Sequence, residues 1–272
     1  MNYQYAAFSF GAGVQSTCLL LLIKHNPEIL IRAVGHLPEK AYFADTGAES
    51  AQVYKHLEQM QLISPIPLEI VSNGSILSNK QSDGFDPRTS PPYFAPAKDG
   101  SVGMLLRKCT NEFKVKPLTR AIRRDVGLAP GRSGKSRSVA LWLGISIDEI
   151  TRMRDNSAKL FQNIYPLVEL GWDRTRCFSY CQKHGVTPTK SRCFFCPYIT
   201  DWVEIKRNSP AEFHKAVEFD KEIRNVIKGG AKGQVYLHKS CRPLGEAVSN
   251  QGHLWEGYPV EFANECSGHC GV

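Results

Sequence analysis

Two stretches near the start of the chain carry the residue types that grip phosphate. The first is Ser9-Phe10-Gly11-Ala12-Gly13-Val14-Gln15-Ser16-Thr17, where an apolar run breaks into small residues and hydroxyls before a helical segment. Small residues let the backbone approach an anion, and the N–H groups at the positive end of the following helix hold it. The second is Phe43-Ala44-Asp45-Thr46-Gly47-Ala48-Glu49, about one βαβ crossover later. Ligands in open α/β sheets bind beyond the carboxyl ends of strands, so the two stretches in this order read as a nucleotide site. A glycine loop alone would read as an ordinary strand-to-helix turn.

A third stretch points to metal or sulfur chemistry: Cys193-Phe194-Phe195-Cys196-Pro197, preceded by Lys190, Ser191 and Arg192. Two thiolates at this spacing reach one metal from a single tight turn, and basic neighbours favour the thiolate. Nine cysteines in a reducing compartment are ligands or reactive groups rather than a disulfide framework. No second pair stands in register, so a closed zinc site built from two such turns is not supported. Further ligands must come from Cys109, from Cys177 and Cys181, or from Cys266 and Cys270. Cys18 lies in an apolar helix and is expected in the core, and Cys241 is expected to be structural. Cys177 and Cys181 share a helix face, with core packing the main expectation and secondary ligation the alternative.

The elements that must position these groups follow from periodicity and punctuation. Strands are expected at 6–10, 41–44 and 66–71, with helices at 16–25 and 50–60; Val53, Leu57 and Met60 give the second helix a packed face. Residues 72–103, rich in Ser, Asn, Gly, Asp and Pro, form a long loop: a substrate lid or binding arm, or else a disordered insertion. A helix at 111–124 carries Arg120, Arg123 and Arg124. The segment Gly131-Arg132-Ser133-Gly134-Lys135-Ser136-Arg137 fails the spacing of a Walker loop, because Ala129 stands where glycine is required. It reads as a solvated basic loop touching a phosphate backbone. A strand at 139–145 is followed by Ser146 and Glu149, a capping box for a helix ending at Arg152 and Arg154. A further strand is expected to open at Tyr165-Pro166-Leu167, with helices over 172–184 and 200–228. The division is a nucleotide-binding α/β domain over 1–171 and a helical, cysteine-bearing subdomain over 172–272. No internal repeat is visible.

The chain of 272 residues, 42% hydrophobic, is long enough for a substantial core. No apolar run is long enough to span a membrane, since Lys24 and His25 interrupt the longest, and the N-terminus does not resemble a signal peptide; the expected location is cytoplasmic. A net charge of +8 favours a polyanionic substrate or partner, whether ATP, a phosphosulfate nucleotide or nucleic acid.

The first loop resembles the pyrophosphate loop of ATP pyrophosphatases, and the two phosphate motifs together resemble the phosphoadenosine phosphosulfate (PAPS) reductase-like branch of that superfamily. The usual loop reads Ser-Gly-Gly-x-Asp-Ser; here Gly11-Ala12-Gly13-Val14-Gln15-Ser16 matches outright at Gly13 and Ser16, and Gln15 puts an amide where an acid handles magnesium. Arg107-Lys108-Cys109-Thr110, with Lys114, Lys116 and Pro117 following, is similar to a stretch of the same proteins, as is Gly144-Ile145 with Asp148, Glu149 and Arg152. The resemblance implies an open, mostly parallel sheet with helices on both faces. It implies a nucleotide site at Ser9, Phe10, Gly11, Ala12, Gly13, Gln15, Ser16, Thr17, Asp45, Thr46, Gly47, Arg107 and Arg152, with Ser16, Lys108, Lys114 and Lys116 serving catalysis. It implies ATP and Mg2+, and a [4Fe–4S] cluster on Cys109, Cys193, Cys196 and Cys266, with zinc the rival metal. Glu265-Cys266, followed by Ser267, Gly268 and His269, partly matches the catalytic tail motif of the reductases. Cys266 is therefore either a cluster ligand or a nucleophile, not both.

Three functions remain open at this point. One is an ATP pyrophosphatase that adenylates an acceptor for sulfur transfer, as in DNA phosphorothioation systems, with a cysteine desulfurase as donor. The second is thiol-dependent reduction of PAPS or adenosine phosphosulfate. The third is a non-catalytic nucleic-acid module.

Overall fold

The short apolar runs of this chain are nearly continuous rather than alternating, the pattern of strands covered on both faces. The computed structural model describes residues 3–78, 80, 81, 84, 85, 91–97, 99–224 and 234–249. The chain enters at strand β1 (Tyr5–Ser9), continues through helices α1 (Val14–His25) and α2 (Pro27–Val34), strand β2 (Lys40–Asp45), helix α3 (Ala51–Ile63) and strand β3 (Leu68–Ser72). Two small hairpins follow, Lys80–Gln81 with Gly84–Phe85 and Phe94–Pro96 with Val102–Met104. A helical rod from Cys109, wound as a π turn over Asn111–Val115, becomes α4 (Lys116–Asp125). Then come β4 (Val139–Leu143), a 3-10 turn (Ile147–Arg152), β5 (Phe161–Ile164), α5 (Pro166–Glu169), α6 (Arg174–Lys183), α7 (Trp202–Asn208), α8 (Pro210–Ile223) and α9 (Leu244–Ser249).

The five main strands form one parallel sheet in the order β3-β2-β1-β4-β5. Alternate side chains go to opposite faces: Phe8, Phe43 and Trp142 join one core cluster, Ala7, Tyr42 and Leu141 another. α1, α3 and α6 cover the first face, and α4 covers the second through Leu118, Ala121 and Ile122. The expected sheet with helices on both faces is therefore present. α1 is buried from Val14 to Ile23, and its four leucines Leu19 to Leu22 contribute roughly 1.5–3 kcal/mol each by burial. That anchorage fixes the loop ahead of it.

A third cluster joins Ala48, Tyr93, Phe113 and Phe195 to Trp202, Phe213, Phe219 and Leu244. Trp172, Cys177, Cys181 and Val186 pack in the cluster around α1. Three expectations are corrected. The strand near 165 precedes Tyr165, because Pro166 lacks an N–H and instead opens α5 at its first position. The helix over 200–228 is broken at Ser209-Pro210 into α7 and α8, and residues 225–228 lie outside the described residues. Ser146 makes no capping bond, and the segment it opens is a 3-10 turn. Of the long loop over 72–103, the described part includes the hairpin of 94–96 with 102–104. Among the described residues no helix is long and apolar enough to cross a membrane.

Candidate functional site

The strand order sets where a ligand crevice opens. β1 is followed by β2 on one side, whereas β4 lies on its other side, so the connections beyond the carboxyl ends of β1 and β4 diverge. The glycine loop sits at this switch point. Ala12 is held at φ 57 and Gly13 caps α1 in an extended conformation. Ser16 Oγ accepts from Gly13 N at 3.1 Å and donates to Gly13 O at 3.2 Å, closing the loop on itself. The opening N–H groups of a helix have no intrahelical partner, and the first turn of α1 holds no acid. Gly144 backs against the loop: a Cβ there would lie 3.0 Å from Ser16 N.

The side chains of the loop are engaged with the protein. Phe10 is buried in the core beside Phe8, and Ser9 ends β1. Gln15 Nε2 donates to Ser146 Oγ at 3.2 Å and Glu149 Oε2 at 3.1 Å, and its Oε1 accepts from Arg174 Nη1 at 3.3 Å. This explains the missing capping box, since the hydroxyl and carboxylate expected to cap the 3-10 turn hold Gln15 instead. Arg152 pairs with the other oxygen of Glu149 at 2.7 Å. Thr17 Oγ1 meets His56 Nε2 at 2.8 Å, where burial pushes the imidazole pKa down to about 4. What Gly11, Ala12, Gly13 and the first turn of α1 offer a ligand is mainly backbone.

The second motif lies beyond β2. Asp45 Oδ1 accepts from Gly47 N and Tyr54 OH, both at 2.8 Å. Gly47 has φ 68, and a Cβ there would come within 2.8 Å of Ser75, so the position requires glycine. Thr46 Oγ1 donates to Glu49 Oε1 at 3.1 Å and lies 3.4 Å from Cys193 Sγ. That contact joins the motif to the Cys-x-x-Cys turn. The turn is clamped by Ser50 N to Arg192 O at 3.2 Å and Phe194 N to Ala48 O at 3.0 Å.

Cys109, Cys193 and Cys196 line one cavity together with Thr46, Arg107, Thr110 and Lys114, and its apolar wall includes Ile76, Pro91 and Phe195. Burial pushes the Cys193 thiol well up; buried Glu49 adds to the rise, and Lys114, 3.3 Å from Glu49, opposes it. Thr110 Oγ1 and Glu49 Oε2 are buried without a hydrogen-bond partner among the described residues. The Arg107 guanidinium sits 5.2 Å over the Tyr198 ring. The basic cluster is split: Arg107 and Lys114 reach this cavity, Lys116 pairs with Glu112 at the surface, and Lys108 is half-buried beside Cys109. Cys266 and Cys270 lie outside the described residues. Cys18, Cys177 and Cys181 are fully buried between α1 and α6, as core cysteines. Among the described residues no group of three or more His, Cys, Asp or Glu side chains forms a ready-made site for a single metal ion.

Two residues of these sites carried no mark in the sequence, His56 behind Thr17 and Arg174 beside Gln15, while Glu49 and Ser146 were marked but not as the partners of Lys114 and Gln15. Only Gln15 itself gave a signal, since an amide in place of an acid calls for both a donor and an acceptor nearby.

No protein-family model matches the chain, and no curated protein matches it. Among solved structures it is similar to phosphoadenylyl-sulfate (PAPS) reductase from Candida auris in its phosphate complex, at 15% identity over 69% of this chain and 76% of that one, with a TM-score of 0.43. It is also similar to the U34-tRNA thiolase NcsA from Methanococcus maripaludis with its [4Fe–4S] cluster, at 13% identity over 94% of this chain and 84% of that one, with a TM-score of 0.41.

Proposed function

We propose that the protein is a PAPS reductase-like ATP pyrophosphatase that adenylates an acceptor, nucleic acid as in DNA phosphorothioation, for sulfur transfer from a cysteine desulfurase. The observation that carries this reading is that the backbone cradle at the β1/β4 switch point and a cavity lined by three cysteines share one edge of the sheet, with Thr46 between them. The N–H groups around Gly13 and the positive end of α1 bind the phosphates beyond the scissile bond. Mg2+ arrives on those phosphates, because the loop itself offers an amide at Gln15 and no carboxylate.

The donor set of the cavity suits a thiophilic group. Cys109, Cys193 and Cys196 are soft ligands, and the orphaned Thr110 hydroxyl beside them marks a wall built for a guest. When bound there, a [4Fe–4S] cluster supplies an iron able to carry the sulfur to be transferred. Lys114 and Arg107 offset the negative charge of the thiolates, and Phe195 and Ile76 keep water away from them.

A second reading has its own support: the neutral Gln15, locked to Glu149 and Arg174, suits a phosphosulfate nucleotide reduced by a thiol without loop-bound magnesium. One set of measurements separates the two. Anaerobically purified protein given ATP, with and without DNA, is expected to release AMP and pyrophosphate, and Ser16→Ala to lower that rate about fivefold through loss of roughly 1 kcal/mol of loop hydrogen bonding. Sulfite release from PAPS in place of pyrophosphate release from ATP would replace the first reading by the second. Iron and zinc content of the same sample decides the metal.

A further inference from the structure

The rod that begins at Cys109 runs from one edge of the sheet to the other. Its first turn carries Cys109 and Thr110 of the cysteine cavity, and its last carries Arg123 and Arg124. Arg124 and Asp125 pair there with Glu69 and with Lys40, the first residue of β2, which places this end at the amino edge of the strands. At about 1.5 Å per residue the rod spans roughly 25 Å.

One side of the rod is core: Phe113, Pro117, Leu118, Ala121 and Ile122 are buried. The other side exposes Lys116, Arg120 and Arg124 at intervals of four residues, with Arg123 half-buried beside them. The basic loop extends this stripe, for Arg132, Lys135 and Arg137 are all exposed. It is tied down rather than dangling. The Arg123 guanidinium donates to Ala129 O at 3.3 Å and also to Arg132 O, and Arg137 N donates to Lys159 O at 2.7 Å, which brings exposed Lys159 to the same surface.

The acids on this side are accounted for. Glu112 pairs with Lys116, and Glu69 and Asp125 with Arg124 and Lys40; Asp155 is exposed near Lys159 in sequence. Arg120, Arg132, Lys135, Arg137 and Lys159 form no ion pair among the described residues. None of the large exposed apolar side chains lies on the rod or on the loop, which disfavours a lipid surface, where basic and apolar groups act together. Exposed cationic side chains of this kind contact phosphates, which position a strand without reading its sequence.

We propose that a nucleic-acid backbone docks along Lys116, Arg120 and Arg123 and over Arg132, Lys135 and Arg137, leading the strand from the amino edge of the sheet toward the cysteine cavity. This names the docking surface of the acceptor proposed above and rests on that reading only for the direction of the track. Binding is independent of ATP and of base sequence, and it is salt-dependent because each neutralised phosphate releases a counterion.

The test is fluorescence anisotropy of a labelled mixed-sequence single strand, without ATP, between 50 and 200 mM salt. Six phosphate contacts give a slope of log K against log salt of about −4. The triple variant R132Q/K135Q/R137Q is expected to reduce that slope by about 2, to weaken binding correspondingly, and to keep wild-type melting and basal ATP turnover. A triple variant that binds with the wild-type slope overturns the proposal, as does a protein that ignores the strand and sediments with phosphatidylserine vesicles. A normal slope in a protein that does not cleave ATP sinks the pyrophosphatase reading alone. ATP cleavage with no salt-sensitive binding sinks this surface alone.

Discussion

The glycine loop and the cysteine cavity lie off the same edge of the same sheet and are built in opposite ways. In the loop the side chains serve the protein: Ser16 closes on Gly13, Gln15 is held by Ser146, Glu149 and Arg174, and Thr17 meets His56. What remains for a ligand is backbone. In the cavity the backbone is spent on clamping the Cys193 turn to Ala48 and Ser50, and what remains is side chains: three thiols, the Thr110 hydroxyl, and two cations. A site made of backbone tolerates loss of a side chain and fails when the chain is displaced. A site made of side chains fails atom by atom.

The largest effect that tests this contrast is Cys193→Ser. Mutation of groups that merely support a metal ligand costs 10–100-fold, so if Cys193 holds the proposed cluster its loss is expected to cost more than about 100-fold in sulfur transfer and to abolish the visible absorbance that such a cluster would give. Pyrophosphate release from ATP should fall far less. Equal losses of both would show that the two sites are one. Next in size is Gly144→Val on the other side of the contrast. Its Cβ would lie 3.0 Å from Ser16 N and 3.3 Å from Ser16 Cα, so the loop must move. The expected result is a drop of roughly 10- to 100-fold in kcat/KM for ATP, about 1.4–2.7 kcal/mol, with the absorbance of the proposed cluster unchanged. An unchanged kcat/KM would place the nucleotide elsewhere.

The same contrast decides how much the sequence disclosed. A backbone cradle needs small residues at the end of an apolar run, and such a pattern is local, so β1, the loop and α1 were legible to within two residues. The two-residue spacing of Cys193 and Cys196 was equally local. Convergence of Cys109 on that pair was visible only through the resemblance, because it depends on how the rod packs through Phe113 on Phe195 and Tyr93. Glu49 and His56 were illegible for a further reason: each looks like an ordinary polar residue near or on α3, and only tertiary burial gives it a partner. The misread capping box teaches the same lesson. Ser146 and Glu149 have the right spacing for a cap, but Gln15, far away in sequence, offers both of them a buried partner, and that bond prevails.

His56 bears on stability rather than on turnover, and its effect is read through pH. Its imidazole is 5% exposed, and burial lowers its pKa from an ordinary 6.5 to about 4. The folded state therefore favours the neutral ring. Stability from this group is complete above pH 6.5, is lost as pH falls toward 4, and changes no further below that. The full loss is on the order of 3 kcal/mol. Urea unfolding at pH 7, 5 and 4 measures it, and His56→Gln should flatten the dependence in that window. A variant with an undiminished slope would mean that the charge uptake belongs to another group and that Thr17 does not rest on a neutral imidazole.

Gln15→Glu is the smallest of these changes and the sharpest for the contrast, since it restores the acid of the usual loop. The new carboxylate keeps its approach to Arg174 but sets an oxygen about 3.1 Å from Glu149 Oε2, where an amide now donates. Two carboxylates that close cannot both stay ionised without cost, so one is pushed upward in pKa. The gain at Arg174 offsets part of this, leaving a loss of about 1–2 kcal/mol at pH 7 that shrinks as pH falls toward 5 and one acid is protonated. A fall in Tm of roughly 2–8 °C at pH 7 and a smaller one at pH 5 is the expected readout. If Tm instead holds and ATP turnover rises with Mg2+, the loop was using its side chains on the ligand after all. The division between a backbone site and a side-chain site would then be wrong at the very position where this loop departs from the pattern it resembles.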